Sequence, residues 1–178
     1  MIYSNKMKWT FLVISFAAIQ SCSDQSSESQ KVPTQQEVNR SMEEYNRQFA
    51  RDESAQIDSY IERRDWDMLT TGTGLRYMIY EKKEASSAST GDLVEINYEV
   101  SLLNGDVIYT SKVSGSRTIE IGKANIESGL HEGLLLMNFG EKAKFILPSH
   151  LAHGLSGDND KIPPRSSVVY DIELVSKK

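Results

Sequence analysis

Ile121-Gly122-Lys123-Ala124-Asn125-Ile126-Glu127-Ser128-Gly129-Leu130-His131-Glu132-Gly133-Leu134-Leu135-Leu136-Met137-Asn138-Phe139-Gly140 is the stretch on which the fold turns. It reads as a strand ending at Gly122, a short loop, and a helix from Gly129 to Phe139. Leu130, Leu134 and Met137 fall on one face of that helix, and Gly140 is the expected C-terminal stop. One short helix set among several strands predicts an α+β domain, an antiparallel sheet wrapped around that helix.

The strands are read on either side. Leu75 to Tyr80 alternates as a first strand. In Leu93 to Leu103 the even-numbered residues Val94, Ile96, Tyr98, Val100 and Leu102 share one face, so Tyr98 points inward. Asn104-Gly105 signals a hairpin turn, and Val107 to Ser111 returns from it. Lys112 to Arg117 reads as a polar loop or bulge before a strand at Thr118 to Ile121. After the helix come a strand at Lys142 to Pro148, a long loop at Ser149 to Arg165, and a closing strand at Ser167 to Val175. Long loops of this kind often carry function.

Upstream the composition changes. Lys6 and Lys8 precede an apolar run, Trp9 to Ile19, too short to span a bilayer and proportioned like a signal segment. It ends in Ile19-Gln20-Ser21-Cys22, which resembles a lipoprotein signal, and Cys22 is the chain's single cysteine. Residues 1–21 are therefore expected to be removed and Cys22 to carry a lipid. That removal leaves 18 basic against 25 acidic residues, a net charge of −7. An acidic body argues against nucleic acid and leaves membrane attachment to acyl chains. Residues 22–36 read as a flexible tether, and 37–69 as a helical extension whose face includes Val38, Met42, Tyr45 and Phe49. Three readings of that face stay open: packing on the chain's own domain, a homodimer through the helix, or a partner-binding helix.

Covalent chemistry lacks its residues. No Cys-His pair, Gly-x-Ser-x-Gly elbow or phosphate-binding glycine loop occurs. His150 and His153 sit three apart in a loop without a completing carboxylate, so no metal and no cofactor is expected.

The ordered set Gly122-Lys123, Gly129, Glu132-Gly133, Met137, Gly140 to Lys144, Ala152-His153-Gly154, Ile162-Pro163-Pro164 and Val169 to Leu174 resembles the FKBP peptidyl-prolyl isomerases, over about Gly91 to Val175. The resemblance implies an FKBP-like domain at 70–178, with its core at 91–176, acting on proline-containing polypeptides. It also implies a pocket. Tyr98 would form an aromatic wall, Ile126 would bind peptide through its backbone, Ile162 would belong to the flap, and Tyr170 would replace a Phe at the rear. Ile108 stands where the family usually has Phe, Tyr109 where it has Asp, and Leu130 where many members have a Trp floor. Glu127 replaces an aliphatic residue. His153 replaces a Tyr whose hydroxyl donates to a ligand carbonyl, which an imidazole N–H can also do. With these departures, low but measurable activity is expected, with a bulky apolar residue preferred before proline.

The layout of signal, helical extension and C-terminal domain is similar to that of the gliding-motility-associated FKBP lipoproteins. It implies an envelope protein lipid-anchored to a membrane, on the periplasmic side of the outer membrane, assisting the folding of exported proteins. A non-catalytic chaperone, or a structural lipoprotein of a motility or secretion apparatus, is the alternative.

Overall fold

The computed structural model describes residues 32–178. The expected signal at 1–21, the lipid-bearing Cys22 and the tether as far as residue 31 lie outside the described residues.

Helix α1 runs Gln35–Glu62 without a break. It starts with a capping box: the Thr34 hydroxyl accepts from the Glu37 N–H at 3.3 Å, and the Glu37 carboxylate accepts from the Thr34 N–H at 2.7 Å. At 1.5 Å per residue α1 is about 42 Å long. It stops well short of residue 69. The chain turns through Asp65 at φ 53°, a conformation a helix cannot continue through. Leu69–Thr70 already form strand β1. The apolar face of α1 packs on the chain's own sheet only in its C-terminal half, with Arg165 reaching back to Tyr45 and Asn46. Val38, Met42 and Tyr45 are exposed, because the helix meets the sheet only from Phe49 onward. Among the described residues no helix is long and apolar enough to cross a membrane.

The sheet adds β2 (Arg76–Glu81), β3 (Leu93–Leu102), β4 (Val107–Thr110), β5 (Arg117–Glu120), β6 (Lys142–Leu147) and β7 (Val168–Lys177), all antiparallel. The order is β1-β2-β6-β7-β3, and the free edge of β3 is shared. β5 pairs with Leu93 to Ile96, and β4 with Glu99 to Ser101. Between them the expected polar loop is instead a helical turn, α2 (Ser111–Ser114), started by the Thr110 hydroxyl accepting from the Lys112 N–H. The only other helix among the described residues, apart from a 3-10 turn at Ser149–Leu151, is α3 (Ser128–Leu134) in the concave face.

α3 therefore ends before Phe139. Leu135 is its C-cap, and Gly140, expected as the stop, makes the turn into β6 at φ 83°. Leu130, Leu134 and Met137 are buried as their spacing predicts. They pack on even-numbered residues of β3 and β7, and on Ala143, Phe145 and Leu147 of β6. Gly129 and Gly133 bring α3 this close. A Cβ on Gly129 would stand 2.7 Å from Leu147 Cγ, and one on Gly133 2.8 Å from the Phe145 ring.

The convex face is covered too. Ile146 and Val169 point away from α3 and meet Ile57 and Tyr60 of α1, with Trp66 and Met68 beside them. Fully burying a side chain such as Ile57 stabilises by ~1.5–3 kcal/mol. Arg76 adds a polar tie, donating to Ser54 at 2.7 Å and to Asp58 at 3.0 Å.

Candidate active site

A cavity of about 220 Å³ opens where the concave side of β3 passes the start of α3. Ile96, Tyr98 and Val100 of β3 form one wall, Leu130 the helix side and Tyr170 of β7 the rear. Glu127, Tyr109, Arg117 and His153 complete the lining. The alternation of β3 is what turns three consecutive inward residues onto the cavity. α2 holds Tyr98 there: its N–H donates to Ser111 Oγ at 3.0 Å, and its hydroxyl shares a hydrogen bond with Ser114 Oγ at 2.9 Å.

The cavity is polar at its rear. The Tyr170 hydroxyl donates to Glu127 Oε1 at 2.8 Å, and His153 Nε2 lies 2.7 Å from the same oxygen. The Glu127 side chain is 8% exposed, and its Oε2 is buried with no hydrogen-bond partner among the described residues. Burial, then the charge and hydrogen bond of Glu127, push the Tyr170 hydroxyl well above the usual tyrosine range. His153 Nε2, which was expected to face a ligand carbonyl, is thus engaged by Glu127.

Tyr109 occupies the position where an Asp was expected, yet a carboxylate stands beside it. Its hydroxyl donates to Asp158 Oδ2 at 2.5 Å and lies 3.2 Å from Asp160 Oδ2. That bond to Asp158, with some burial, raises the Tyr109 hydroxyl above its usual range. Asp158 Oδ1 accepts from the N–H groups of Asp160 at 2.9 Å and Ile162 at 2.7 Å. Burial alone would push the Asp158 carboxyl up. The Tyr109 bond, the two backbone N–H groups and the charge of His153 outweigh it and bring the group down to about 2.

Of the nine expected pocket residues, the cavity gathers Tyr98, Tyr109, Glu127, Leu130, His153 and Tyr170. Three do not line it. Ile108 packs half-buried against the core, and Ile162 is buried in the core. Ile126 lines an adjoining depression that shares Arg117, Glu127 and His153 with the cavity. Asp158 and the serines of α2 were not anticipated; their only local signal is the Asp158-Asn159-Asp160 run and the Ser-rich segment before β5. Ile96 and Val100 were read only as strand residues, and Arg117, the first residue of β5, as the end of a polar loop. The other histidines are structural. His131 Nδ1 accepts from the Gly122 N–H at 2.9 Å and its Nε2 lies 2.9 Å from the Ala124 carbonyl, while His150 Nε2 lies 3.0 Å from the Thr73 carbonyl.

Solved structures share this fold. The crystal structure of FkpA from Escherichia coli matches with a TM-score of 0.60 at 25% identity, over 82% of this chain and 74% of that chain. The crystal structure of AtFKBP13 matches with a TM-score of 0.59 at 27% identity, over 63% of this chain and 99% of that one. In sequence, the probable FKBP-type peptidyl-prolyl cis-trans isomerase FkpA of Neisseria meningitidis serogroup B is 35% identical over 106 residues, 60% of this chain and 39% of that protein. The FKBP-type peptidyl-prolyl cis-trans isomerase FkpA of Escherichia coli K12 is 30% identical over 131 residues, 72% of this chain and 48% of that protein. The matched part thus spans less than half the length of these two curated relatives. Residues 84–175, more than half of the chain, match the FKBP-type peptidyl-prolyl cis-trans isomerase family, and the chain belongs to that family.

Proposed function

We propose that this protein catalyses cis–trans isomerisation of prolyl bonds in polypeptides. The observation that carries the proposal is the cavity walled by Tyr98, Leu130 and Tyr170, within the matched domain. A prolyl bond isomerises slowly because amide resonance resists rotation, with a barrier of ~18–20 kcal/mol. The twisted amide has lost that resonance and is less polar at oxygen. Apolar walls that exclude water favour it over either planar form, and binding the transition state better than the substrate is what accelerates the step. No nucleophile, metal or cofactor is needed.

The polar rear wall works against that preference. A proline ring entering between Tyr98 and Tyr170 meets a wall that includes Glu127 and His153, so turnover is expected to be low. The test is a proline-isomerisation assay on a soluble chain starting at Ser23. Acceleration above the uncatalysed rate, lost in Tyr98→Ala, supports the proposal. No acceleration, with peptide binding still abolished by Tyr98→Ala, moves the protein to a chaperone that holds peptide in the same cavity, a reading that the polar lining by Glu127 and His153 favours.

The proposed setting is the bacterial envelope. Ile19-Gln20-Ser21-Cys22 supports a lipid anchor, and the layout supports service to exported proteins, including those of a motility or secretion apparatus. The exposed row Val38, Met42 and Tyr45 supports a homodimer through α1, its apolar side chains covered by a second copy.

A further inference from the structure

We propose that α1 is a working part of the isomerase site: Glu53 is a positioning residue that fixes the loop carrying His153. The inference rests on the isomerase reading above. Glu53 lies in the polar middle of α1, where the sequence pattern suggests a solvated face, yet it is 7% exposed. Its Oε1 accepts from the Ser149 N–H at 2.7 Å and from the Ser167 hydroxyl at 2.7 Å, and its Oε2 accepts from the Ser149 hydroxyl at 3.2 Å. Ser149 follows β6 and Ser167 precedes β7. One side chain from the helical extension therefore holds both ends of the loop between those strands.

The hold passes directly to the cavity. The Gly154 N–H donates to the Ser149 carbonyl at 2.7 Å, so the peptide after His153 hangs on the residue that Glu53 grips. His153 in turn meets Glu127 at the rear of the cavity. Farther along the loop, the Arg165 N–H donates to the Gly154 carbonyl at 2.9 Å. The Arg165 guanidinium lies 4.7 Å from the Phe49 ring centre and donates to Asn46 at 3.2 Å, a second attachment to α1. Such a linkage is a cation–π contact reinforced by a hydrogen bond. A loop freed from α1 would spend less of its time with His153 against Glu127. A smaller competent population raises the apparent dissociation constant and leaves the bound-state rate alone.

The experiment compares Glu53→Ala, Glu53→Gln and Ser167→Ala with the wild-type full chain. Glutamine keeps an acceptor for the Ser149 N–H and the Ser167 hydroxyl, and its amide can donate to Ser149 Oγ. Isomerisation of a proline-containing tetrapeptide is measured alongside hydrogen exchange of the amides at 149–154. Glu53→Ala should raise KM roughly three- to tenfold with kcat within about twofold, as a population effect requires. It should also speed exchange at the Ser149 and Gly154 amides. Glu53→Gln should restore both, and Ser167→Ala should give a smaller change of the same kind. If Glu53→Ala does not fold, Ser167→Ala and Glu53→Gln decide the matter. Unchanged KM and exchange in Ser167→Ala and Glu53→Ala, or a fall in kcat alone, overturns the proposal. A wild-type chain without isomerase activity defeats the isomerase reading, while the exchange measurement still decides whether Glu53 holds the loop.

Discussion

Glu127 and Tyr170 offer a direct test of how the cavity is built. Tyr170→Phe removes the hydroxyl that donates to Glu127 Oε1 at 2.8 Å and leaves a side chain already carrying one unpartnered oxygen with a further deficit. A buried polar group without its partner costs ~1–3 kcal/mol, more when charged, so this variant should lose about 2 kcal/mol. Glu127→Ile removes the unpartnered oxygen, which favours the fold, but takes the shared acceptor from His153 Nε2 and from the hydroxyl of Tyr170, a residue only 5% exposed. Those effects oppose each other, and a net change within ~1 kcal/mol is expected. In the double variant neither group remains, replacing both partners by apolar groups is close to neutral, and His153, 26% exposed, can turn to water. The two substitutions should therefore couple by at least ~1 kcal/mol. The assay is urea denaturation of all four proteins with matched slopes. The double variant should also isomerise faster than wild type, because its rear wall is apolar where the twisted amide lies. Stability changes that add to within ~0.3–0.5 kcal/mol would refute the reasoning, since independent sites behave that way.

Four further outcomes are expected, three from the geometry and the last from the sequence at Cys22. Gly133→Ala forces a methyl to 2.8–2.9 Å from three atoms of Phe145 and should destabilise by ~1–3 kcal/mol, measured by denaturation. The Asp158 carboxyl is held at about 2, below the ordinary ~3.9, so its contribution is fully present above pH ~4 and is lost as pH falls toward 2; Asp158→Asn should flatten the stability curve in that window. Changing Val38, Met42 and Tyr45 to polar residues should weaken self-association, and a wild-type soluble form that sediments as a monomer at high concentration ends the dimer proposal. Cys22→Ser should leave the chain unlipidated, and normal lipid labelling of that variant would rule out the anchor.

The parts of the fold legible in the sequence are those fixed by local periodicity. Val94, Ile96 and Val100 alternate because β3 presents one face to α3, and the spacing of Leu130, Leu134 and Met137 survives although the backbone leaves the helix before Met137. The early end of α3 was not legible. Leu135, Leu136 and Met137 continue an apolar run, and what redirects the backbone comes from beyond that run. Glu141, 3% exposed, accepts from the Asn138 N–H at 2.8 Å and reaches the Lys83 N–H at 3.3 Å. The carboxylate beside Tyr109 was hidden in the same way: Asp158 is 49 residues away and comes into reach only when the β6–β7 loop folds over β4. Arg51 to Gln56 is polar apart from Ala55, the composition of a solvated surface, yet Glu53 and Ser54 are docking residues whose partners lie on the loop and on β2.

These misses share a cause that bears on the chemistry. Apolar residues reveal their burial through spacing, because one face of a strand or helix must collect them. Polar residues buried in pairs leave no such trace, since each alone looks like a surface group. The rear of this cavity is made of such pairs: Tyr170 with Glu127, His153 with the same oxygen, and Tyr109 with Asp158. Within each pair one partner satisfies the other, Glu127 Oε2 excepted, and the apolar scaffold of α3, β3 and β7 carries the fold whichever pairs are present. The pocket can therefore depart from the family pattern at Ile108, Tyr109, Glu127, Leu130 and His153 while the sheet keeps its order. Catalytic strength has to be read from that set of pairs rather than from the match of the scaffold. Leu130→Trp is the substitution that tests the separation: a larger floor in the same scaffold should raise turnover while leaving the Tyr170–Glu127–His153 contacts in place. An unchanged turnover with an intact fold would show that the polar rear wall, rather than the floor, sets the rate.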